Sequence, residues 1–249
     1  TYAHPEMPKP QITMMPEQVI ERQPLVTAEQ FTVTNDYVRL QVKFPLKVIS
    51  SAVHNAGMGW YNHFLNRSIS SDYNIEDVKE ETVQFLVERD FSLTNTVVML
   101  TAVEANLVAI RSFNHERFSI TVAVTAGVGN AVDVTRTYER QEAAYIGTIN
   151  TWVIVNGKLS DEAFYQAMIT VTEAKTKALA EEGIRDLQTN TIATGTATDS
   201  LLIAATQQGE EMPYAGPITD VGKLIGHGVF ETTIEAIRKY KQSKNERNG

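Results

Sequence analysis

Hydroxyl groups and one carboxylate are concentrated in a short run in the C-terminal part of the chain, ATGTATDS at 193–200. Four hydroxyl residues, one glycine and Asp199 within eight positions disfavour the interior of a helix or strand and favour a polar loop. In such a loop Asp199 can orient a threonine hydroxyl or a water molecule. The alternative is an ordinary turn that leads into the apolar run LLIAA. Both interpretations remain open for this run on its own.

A second polar run, TEAKTKA, lies within the longest predicted helix, from Ser160 to Glu182. At about 100° per residue, Lys175 falls about 40° from Val171 and therefore inside the buried stripe of that helix. An ammonium group aimed at an apolar face is costly unless it is paired or lines a polar cavity, and snorkelling to solvent is the alternative. Glu173 lies about 200° from Val171, so the helix either borders a cleft or leaves Glu173 as a solvated charge.

Glycine-rich loops are the third candidate for ligand contact. The run TAGVGNA leaves a β-rich segment with Gly127, Gly129 and Asn130, whose backbone amides and side chain could approach a ligand closely. Val132 stands where a dinucleotide fingerprint has its third glycine, and no phosphate-binding lysine-threonine pattern occurs, so a nucleotide site is unsupported. A tight turn between elements is the alternative explanation of the same glycines.

The run SSAVHNAGMGWYNHFLNRS joins further glycines to aromatic residues. It indicates a glycine-rich mouth with exposed aromatic side chains, suited to a flat and bulky ligand, with core packing of the aromatics as the commoner alternative. The histidines form no zinc-binding pattern, since His54 and His63 lie nine positions apart and His227 stands alone between two glycines. A lone helical histidine is more often structural than catalytic.

Composition narrows the possible functions. The chain has 249 residues, no cysteine, and 22 basic against 30 acidic residues, for a net charge of −8. A cysteine nucleophile, a thiolate zinc site and disulfides are excluded, and nucleic acid and anionic membranes are poor partners for so acidic a chain. No apolar run reaches the roughly 20 residues of a membrane span, and residues 1–24 lack the apolar core of a signal peptide. We therefore expect a cytoplasmic protein.

The elements that must position these residues indicate an α+β fold. Five of the eight prolines fall within residues 1–24, which predicts an extended N-terminal arm followed by a single domain over 25–249. The short links between VVMLTAV, NLVAIRSF and FSITVAVTAG predict that these strands are antiparallel neighbours. The prediction is a mixed, largely antiparallel sheet flanked by helices.

Helices are predicted in three places. The first follows an Asn74 cap, with apolar residues at helical spacing in NIEDVKEETVQFLVERD. The second follows a Ser160 cap and ends at Gly183. The third is amphipathic and runs from about Val221 to Lys241.

Taken together and in their order along the chain, five runs closely resemble the adenosylcobinamide amidohydrolase family. They are VTAGVGNA (124–131), GTINTW (147–152), TEAKTKAL (172–179), ATGTATDS (193–200) and PYAGPITDVGKLIG (213–226). The resemblance extends from about Leu46 to Tyr240, and this chain has Asn55-Ala56-Gly57 where the family pattern has a doubled glycine. It implies an enzyme of corrinoid salvage that hydrolyses the amide between a corrin propionate and aminopropanol, giving adenosylcobyric acid.

The resemblance implies the substrate, and the residues in these runs suggest a mechanism. Amide hydrolysis needs an activated water or nucleophile, stabilisation of the oxyanion and a proton for the leaving amine. We expect Glu173 or Asp199 to act as general base, with Lys175 and the backbone amides near Gly127–Asn130 as electrostatic stabilisers. A Thr196 nucleophile with Lys175 as its base is the competing mechanism. Substrate contacts are expected from Asn55, Gly57, Gly127, Gly129, Asn130, Thr194 and His227.

Two further classes of function remain open. A non-catalytic corrinoid carrier could use the same glycine-rich mouth, and a hydrolase could act on a different amide with the same fold. The chain lacks the Asp-x-His-x-x-Gly pattern of proteins that ligate cobalt through histidine, so the corrinoid is expected to be held by its periphery, as substrate. We expect no cofactor beyond the cobalt that enters with the substrate, and a homo-oligomer is compatible with the sequence.

Overall fold

The computed structural model describes residues 25–70, 77–138 and 147–248. The arm predicted over residues 1–24 and the predicted Asn74 cap lie outside the described residues. The described strands are β1 (Phe31–Val33), β2 (Tyr37–Ser50), β3 (Gly57–Ser68), β4 (Thr96–Thr101), β5 (Ala109–Asn114), β6 (Ser119–Ala126), β7 (Ala131–Val132), β8 (Ile149–Asn156), β9 (Lys158–Leu159), β10 (Gly195–Thr196), β11 (Ser200–Ala205) and β12 (Glu211–Met212). The described α-helices are α1 (Val78–Glu88), α2 (Asp161–Glu181) and α3 (Asp220–Asn248).

Eight of these strands form one mixed sheet. Its order is β4-β3-β2-β11-β8-β6-β5, with β1 paired to β2. The pairs β3–β4 and β8–β11 are parallel, and the other neighbouring pairs are antiparallel. The prediction of an α+β fold with a mixed, largely antiparallel sheet is therefore confirmed.

The prediction that β4, β5 and β6 are consecutive antiparallel neighbours is only half correct. Strands β5 and β6 do pair in this way, but β4 pairs in parallel with β3, at the opposite edge of the sheet. The link from β4 to β5 remains short because the sheet curls and brings β4 over β8, where Asn150 Nδ2 donates a hydrogen bond to Leu100 O at 2.8 Å. Sequence separation alone does not reveal such curvature.

Three clusters of apolar side chains divide the molecule into layers. One fills the space between the two halves of the curled sheet, where Phe64 and Met99 pack against Trp152. A second lies between α2 and α3 and the outer face of β6, β8 and β11. A small third cluster buries Phe85 and Leu86 of α1 against β3 and β4. Helices therefore cover both outer faces, and the half formed by β6, β8 and β11 lies directly beneath α2 and α3.

The helix ends follow local capping chemistry. In α1 the cap is Asp77, not the predicted Asn74, because the Asp77 carboxylate accepts from the amides of Lys79 and Glu80. In α2, Ser160 accepts from the Ala163 amide at 3.0 Å, as predicted, and Gly183 ends the helix region with a φ of +63°. Helix α3 runs seven residues beyond the predicted end at Lys241, to Asn248. None of the described helices combines the length and apolar character of a membrane span.

Candidate active site

The loops that carry the predicted catalytic residues meet at one end of the large sheet. The parallel strands β8 and β11 both begin there, at Ile149 and Ser200, and β6 ends there with Ala126 opposite Ile149. The segment after β6 also pairs with the segment before β11, through the short ladder formed by β7 and β10. Sheet topology therefore brings TAGVGN, GTINTW and ATGTATDS together from distant parts of the chain.

Asp199 lies at the centre of this end of the sheet. Its Oδ1 accepts hydrogen bonds from Thr196 Oγ1 at 2.5 Å and from the Ile149 amide at 2.9 Å. Its Oδ2 accepts from Lys175 Nζ at 2.6 Å and from the Thr196 amide at 3.1 Å. A carboxylate has about four lone-pair positions, and each of them faces a donor here. The carboxylate is therefore held in a single orientation.

Lys175 reaches Asp199 from α2, which packs across β11. The side chains of Lys175 and Asp199 are only 13% and 18% exposed, and their ion pair connects the helix to the loop before β11. Of the two interpretations left open by the sequence, pairing within the protein is correct and snorkelling to solvent is not. Because solvent screens a pair so little exposed only weakly, its field on a bound ligand is stronger than that of a surface pair.

Threonine hydroxyls fasten the loops around this pair. Thr148 Oγ1 donates to Thr198 O at 2.6 Å, and Thr198 Oγ1 donates in turn to Gly147 O at 2.9 Å. From α2, Thr176 Oγ1 donates to Thr194 O at 3.1 Å. The run ATGTATDS therefore forms a turn that is held on one side by the start of β8 and on the other side by α2.

Two glycines of the site leave no room for a side chain. A Cβ on Gly195 would lie 2.8 Å from Lys175 Nζ and still closer to Asp199 Oδ2. A Cβ on Gly147 would lie 2.6 Å from Asn130 Cγ and would overlap the side-chain oxygen of Asn130. Since non-bonded heavy atoms prefer separations of about 3.5 Å or more, a larger residue at either position would displace a polar group of the site.

The loop after β6 approaches the same place, but two of its amides are already engaged. The Gly127 amide donates to Thr148 O at 2.9 Å. The Gly129 amide donates to the hydroxyl of Tyr240 on α3; burial of that hydroxyl raises the pKa of Tyr240, and the Gly129 bond opposes the rise. The expectation that the amides of the Gly127–Asn130 segment stabilise an oxyanion therefore does not hold for the amides of Gly127 and Gly129.

Thr194 has a bonding pattern that differs from the substrate contact expected of it. Its amide donates to Val132 O at 2.9 Å, and its hydroxyl accepts from the Val134 amide at 3.0 Å. The hydroxyl also lies 3.3 Å from Val132 O as a donor. Thr194 therefore holds the segment after β7 in place, which is a positioning role.

Asn55 and Gly57 lie at the same end of the sheet, on the connection between β2 and β3. Asn55 has a φ of +55°, and its Nδ2 donates to Leu93 O at 2.9 Å and to Thr96 O at 2.7 Å. Gly57 has a φ of +86°, which favours glycine, and it is exposed where β3 begins. This connection borders β11, because the Ser51 amide donates to Leu201 O at 3.0 Å. Asn55 itself is bound to the segment that leads into β4, and Gly57 pairs with Ser50 at the end of β2.

Glu173 lies outside the Lys175–Asp199 pair. It is exposed on α2, about 160° around the helix from Lys175, and makes no hydrogen bond or ion pair with another described residue. This placement agrees with the interpretation of Glu173 as a solvated charge. Of the two carboxylates expected as general base, Asp199 is the one at the site.

His227 lies at the opposite end of the sheet. It is exposed on α3, and its ring makes an edge contact with Phe113 at 5.6 Å between centroids. Phe113 pairs with Ile120 near the start of β6, whereas the site lies where β6 ends. Tyr240, which does reach the site, is about 20 Å farther along α3. The expectation that His227 contacts the substrate therefore does not fit the structure.

Some functional positions were missed in the sequence. Thr148, Thr198 and the Ile149 amide fall within runs that were singled out, but nothing in their residue types marks them as partners of Asp199. Tyr240 lies in the last helix without a local motif. Among residues 25–70, 77–138 and 147–248, no three histidine or acidic side chains group in a way that would hold a metal ion.

The arrangement is suited to attack on an acyl group. A threonine hydroxyl donates its proton to a fixed carboxylate, and an ammonium group lies on the other oxygen of that carboxylate. Such a set offers a nucleophile, a proton acceptor and a positive charge within one hydrogen-bonded group.

The chain is similar to several known proteins. The family model described as adenosylcobinamide amidohydrolase matches residues 22–245. A Methanosarcina mazei protein named adenosylcobinamide amidohydrolase is 31% identical over 196 residues, which cover 77% of this chain and 90% of the relative. An uncharacterised Methanocaldococcus jannaschii protein is 39% identical over 100 residues, or 40% of this chain and 39% of the relative. Among solved structures, the L-aminopeptidase D-Ala-esterase/amidase of Ochrobactrum anthropi is similar with a TM-score of 0.46 and 12% identity, covering 84% of this chain and 82% of that one.

Proposed function

The chain belongs to the adenosylcobinamide amidohydrolase family, and on this basis we propose that it hydrolyses the amide that joins aminopropanol to the corrin propionate of adenosylcobinamide. The products are adenosylcobyric acid and aminopropanol, which makes the enzyme part of corrinoid salvage. The observation that carries the proposal is the hydrogen-bonded cluster of Lys175, Asp199 and Thr196, because it combines the groups that amide hydrolysis needs. No metal ion or organic cofactor enters the proposal, and the cobalt arrives with the substrate.

The proposed reaction begins with Thr196. As its Oγ adds to the amide carbonyl carbon, the hydroxyl proton passes to Asp199 Oδ1, to which Thr196 already donates at 2.5 Å. The C–N bond then breaks as the amide nitrogen takes up this proton from Asp199, directly or relayed through Lys175, and aminopropanol leaves. Water cleaves the resulting ester, which releases the corrin carboxylate and restores the Thr196 hydroxyl. One water is consumed for each amide that is cleaved.

Lys175 stabilises the negative charge that develops in this reaction. Its ammonium has three N–H groups, one of which is donated to Asp199. The remaining two can face the carbonyl oxygen as it becomes an oxyanion, or supply the proton that the leaving amine requires. Because the pair is little exposed, the stabilisation is larger than the same charge would provide in water.

Direct attack by water, with Asp199 as general base, is the competing mechanism. It requires Asp199 to accept a proton from water while all four of its lone-pair positions already have donors. One of those bonds would have to break first, whereas proton transfer from Thr196 uses a bond that is already present. The saturated carboxylate therefore favours the Thr196 nucleophile.

Trapping distinguishes these mechanisms. With hydroxylamine added during a single turnover, an ester on Thr196 gives a corrin hydroxamate while the rate of aminopropanol release, which depends only on ester formation, stays constant. If water attacks the amide directly, hydroxamate forms only when hydroxylamine itself attacks the amide. Each such attack also releases aminopropanol, so the rate of aminopropanol release rises with the amount of hydroxamate formed. Thr196→Val should abolish hydroxamate formation under the first mechanism.

The same cluster argues against a non-catalytic corrinoid carrier. A carrier gains nothing from an ion pair removed from solvent, since burying two charges costs free energy that their attraction only partly offsets. Incubation of the protein with adenosylcobinamide, followed by mass measurement of both products, tests the proposal. Release of aminopropanol together with adenosylcobyric acid is expected. Tight binding without release would indicate a carrier, and neither binding nor release would indicate a different amide substrate.

A further inference from the structure

Two large apolar side chains at the beginning of β3 are left open to solvent. Trp60 is 55% exposed and Met58 is 39% exposed, although the other tryptophan, Trp152, is only 2% exposed. Large apolar side chains that lie together at a surface commonly mark a ligand or partner site. We call Met58 and Trp60 the platform.

The platform shares a face of the sheet with the catalytic cluster. Strand β2 lies between β3 and β11, and its Ile49 pairs with both Met58 and Ile203. Paired side chains on neighbouring strands point to one face, and so do side chains two positions apart along a strand. The side chains of Trp60 and Met58 therefore point to the same face of the sheet. Asp199 lies four positions before Ile203, so its side chain points to that face as well. Both the platform and Asp199 lie on the side of α2.

Helix α2 borders the platform without covering it. Its first turn reaches β2, where Asp161 forms an ion pair with Lys47 and the Lys47 ammonium lies 5.7 Å from the Phe164 ring centroid. Tyr165, about 40° around the helix from Asp161, is 58% exposed. Within the described residues, the surface beside Lys175 therefore continues along the side of α2 to the platform.

The span of this surface sets the size of a ligand that could use all of it. Met58 lies two strands from β11 and, through its pairing, level with Ile203. Met58 is about 13 Å along the sheet and about 10 Å across it from Asp199, and Trp60, which is level with Ala205, is about 20 Å along the sheet. A ligand whose amide reaches Thr196 and which also contacts Met58 must therefore carry a broad body on a side arm. A small amide would leave the platform unused.

We infer that the platform binds the face of the corrin macrocycle while the propionamide arm extends to the catalytic cluster. The inference rests on the proposed function and assigns Trp60 and Met58 as substrate-binding residues. A flat, largely apolar ring system matches an exposed indole beside a thioether, which are side chains that stack and adapt to such surfaces. The platform then contributes the same binding free energy to the bound substrate as to the transition state.

Kinetics of platform variants test the inference. Uniform binding raises KM when it is lost and leaves kcat unchanged. Trp60→Ala should raise KM for adenosylcobinamide about tenfold with kcat within twofold of wild type, and Trp60→Phe should retain most of the affinity. For N-(2-hydroxypropyl)propionamide, which has the arm without the macrocycle, Trp60→Ala should change neither constant. Val87→Ala on α1, a residue 61% exposed and outside the platform, is the matched control and should have no effect.

A binding measurement avoids dependence on turnover. In Asp199→Asn, the Kd for adenosylcobinamide, measured by equilibrium dialysis, should rise about tenfold when Trp60→Ala is added and stay near its starting value when Trp60→Phe is added. Met58→Ala, with a smaller expected rise in KM, replaces Trp60→Ala if that variant folds poorly.

The outcomes separate this inference from the proposed function. If wild type cleaves adenosylcobinamide and Trp60→Ala, Trp60→Phe and Met58→Ala leave its KM unchanged, the inference is wrong and the function stands. If Trp60→Ala instead alters the oligomeric state and not KM, the platform is a self-association surface, and the inference is again wrong. If wild type neither binds nor cleaves adenosylcobinamide, the proposed function is wrong, and so is the inference that rests on it.

Discussion

Replacing Gly195 by alanine tests whether the geometry around Asp199 governs the reaction. The backbone of Gly195 does not adopt a positive φ, so alanine is compatible with its conformation. The added methyl group would lie 2.8 Å from Lys175 Nζ and closer to Asp199 Oδ2. The substitution therefore acts on the ion pair while leaving each charged residue in the chain.

The size of the effect follows from these contacts. Restoring separations of about 3.5 Å requires the ammonium and the carboxylate to move by roughly 1 Å. A misplacement of that size in a catalytic group costs about 100-fold in rate. The overpacked site also costs about 1–3 kcal/mol of folding free energy, which leaves the protein folded at 25 °C if its stability is that of an ordinary domain.

The assay is aminopropanol release from adenosylcobinamide under saturating substrate, together with urea denaturation of each variant. Gly216→Ala is the matched control, because a Cβ on Gly216 meets no atom within 4 Å. We expect kcat to fall about 100-fold for Gly195→Ala and to stay near wild type for Gly216→Ala. A folded Gly195→Ala with kcat within about threefold of wild type would refute the argument that Lys175 and Asp199 must keep their positions.

Three further variants test other parts of the account. Glu173→Gln should retain kcat within about twofold in the same assay, because Glu173 is exposed and outside the cluster; a 100-fold loss would restore it as a candidate base. Gly147→Ala should lower kcat at least tenfold by displacing Asn130, and unchanged kinetics with a stable fold would show that the Asn130 side chain is not needed. Burial, with a smaller effect of Arg39, lowers the pKa of His63 from 6.5 to about 4. As the pH falls, His63 therefore takes up its proton in the unfolded chain before it does so in the folded protein. The free energy of unfolding should fall by about 3 kcal/mol between pH 6.5 and pH 4. Urea denaturation across that range checks this, and an equal loss in His63→Leu would contradict it.

Helical periodicity predicted where Lys175 lies on α2. Lys175 was expected inside a buried stripe, and the structure pairs it there with Asp199. The reasoning succeeded because a buried ammonium requires a partner, whatever the fold. The same periodicity placed Glu173 on another side of the helix, where the structure leaves it in solvent.

Other parts of the site depend on strand order, which local patterns do not contain. The Ile149 amide faces Asp199 because β8 and β11 are parallel neighbours, although their first residues are far apart in the chain. Tyr240 meets Gly129 because α3 crosses the outer face of the sheet. His227 shares that helix yet lies at its other end, so proximity in sequence to a family run was misleading.

The misplaced strand has a similar origin. Short links between β4, β5 and β6 favour neighbours, and the inference holds for β5 and β6. Strand β4 differs because the sheet curls until its two halves face each other across the Phe64 and Trp152 cluster. Curvature arises from features such as the irregular stretch of β2 between Gln41 and Leu46, whose effect on the whole sheet is not visible in the sequence.

The most direct test of the central claim is the single-turnover rate of adenosylcobinamide cleavage by wild type and by Asp199→Asn, with both products identified by mass. The substitution keeps the size of the side chain but removes its charge, so it cannot accept the Thr196 proton or pair with Lys175. We expect wild type to give adenosylcobyric acid and aminopropanol in equal amounts, and folded Asp199→Asn to be at least 1000-fold slower, as for loss of other catalytic carboxylates. Cleavage by folded Asp199→Asn at near-wild-type rate would contradict the assignment of the active site.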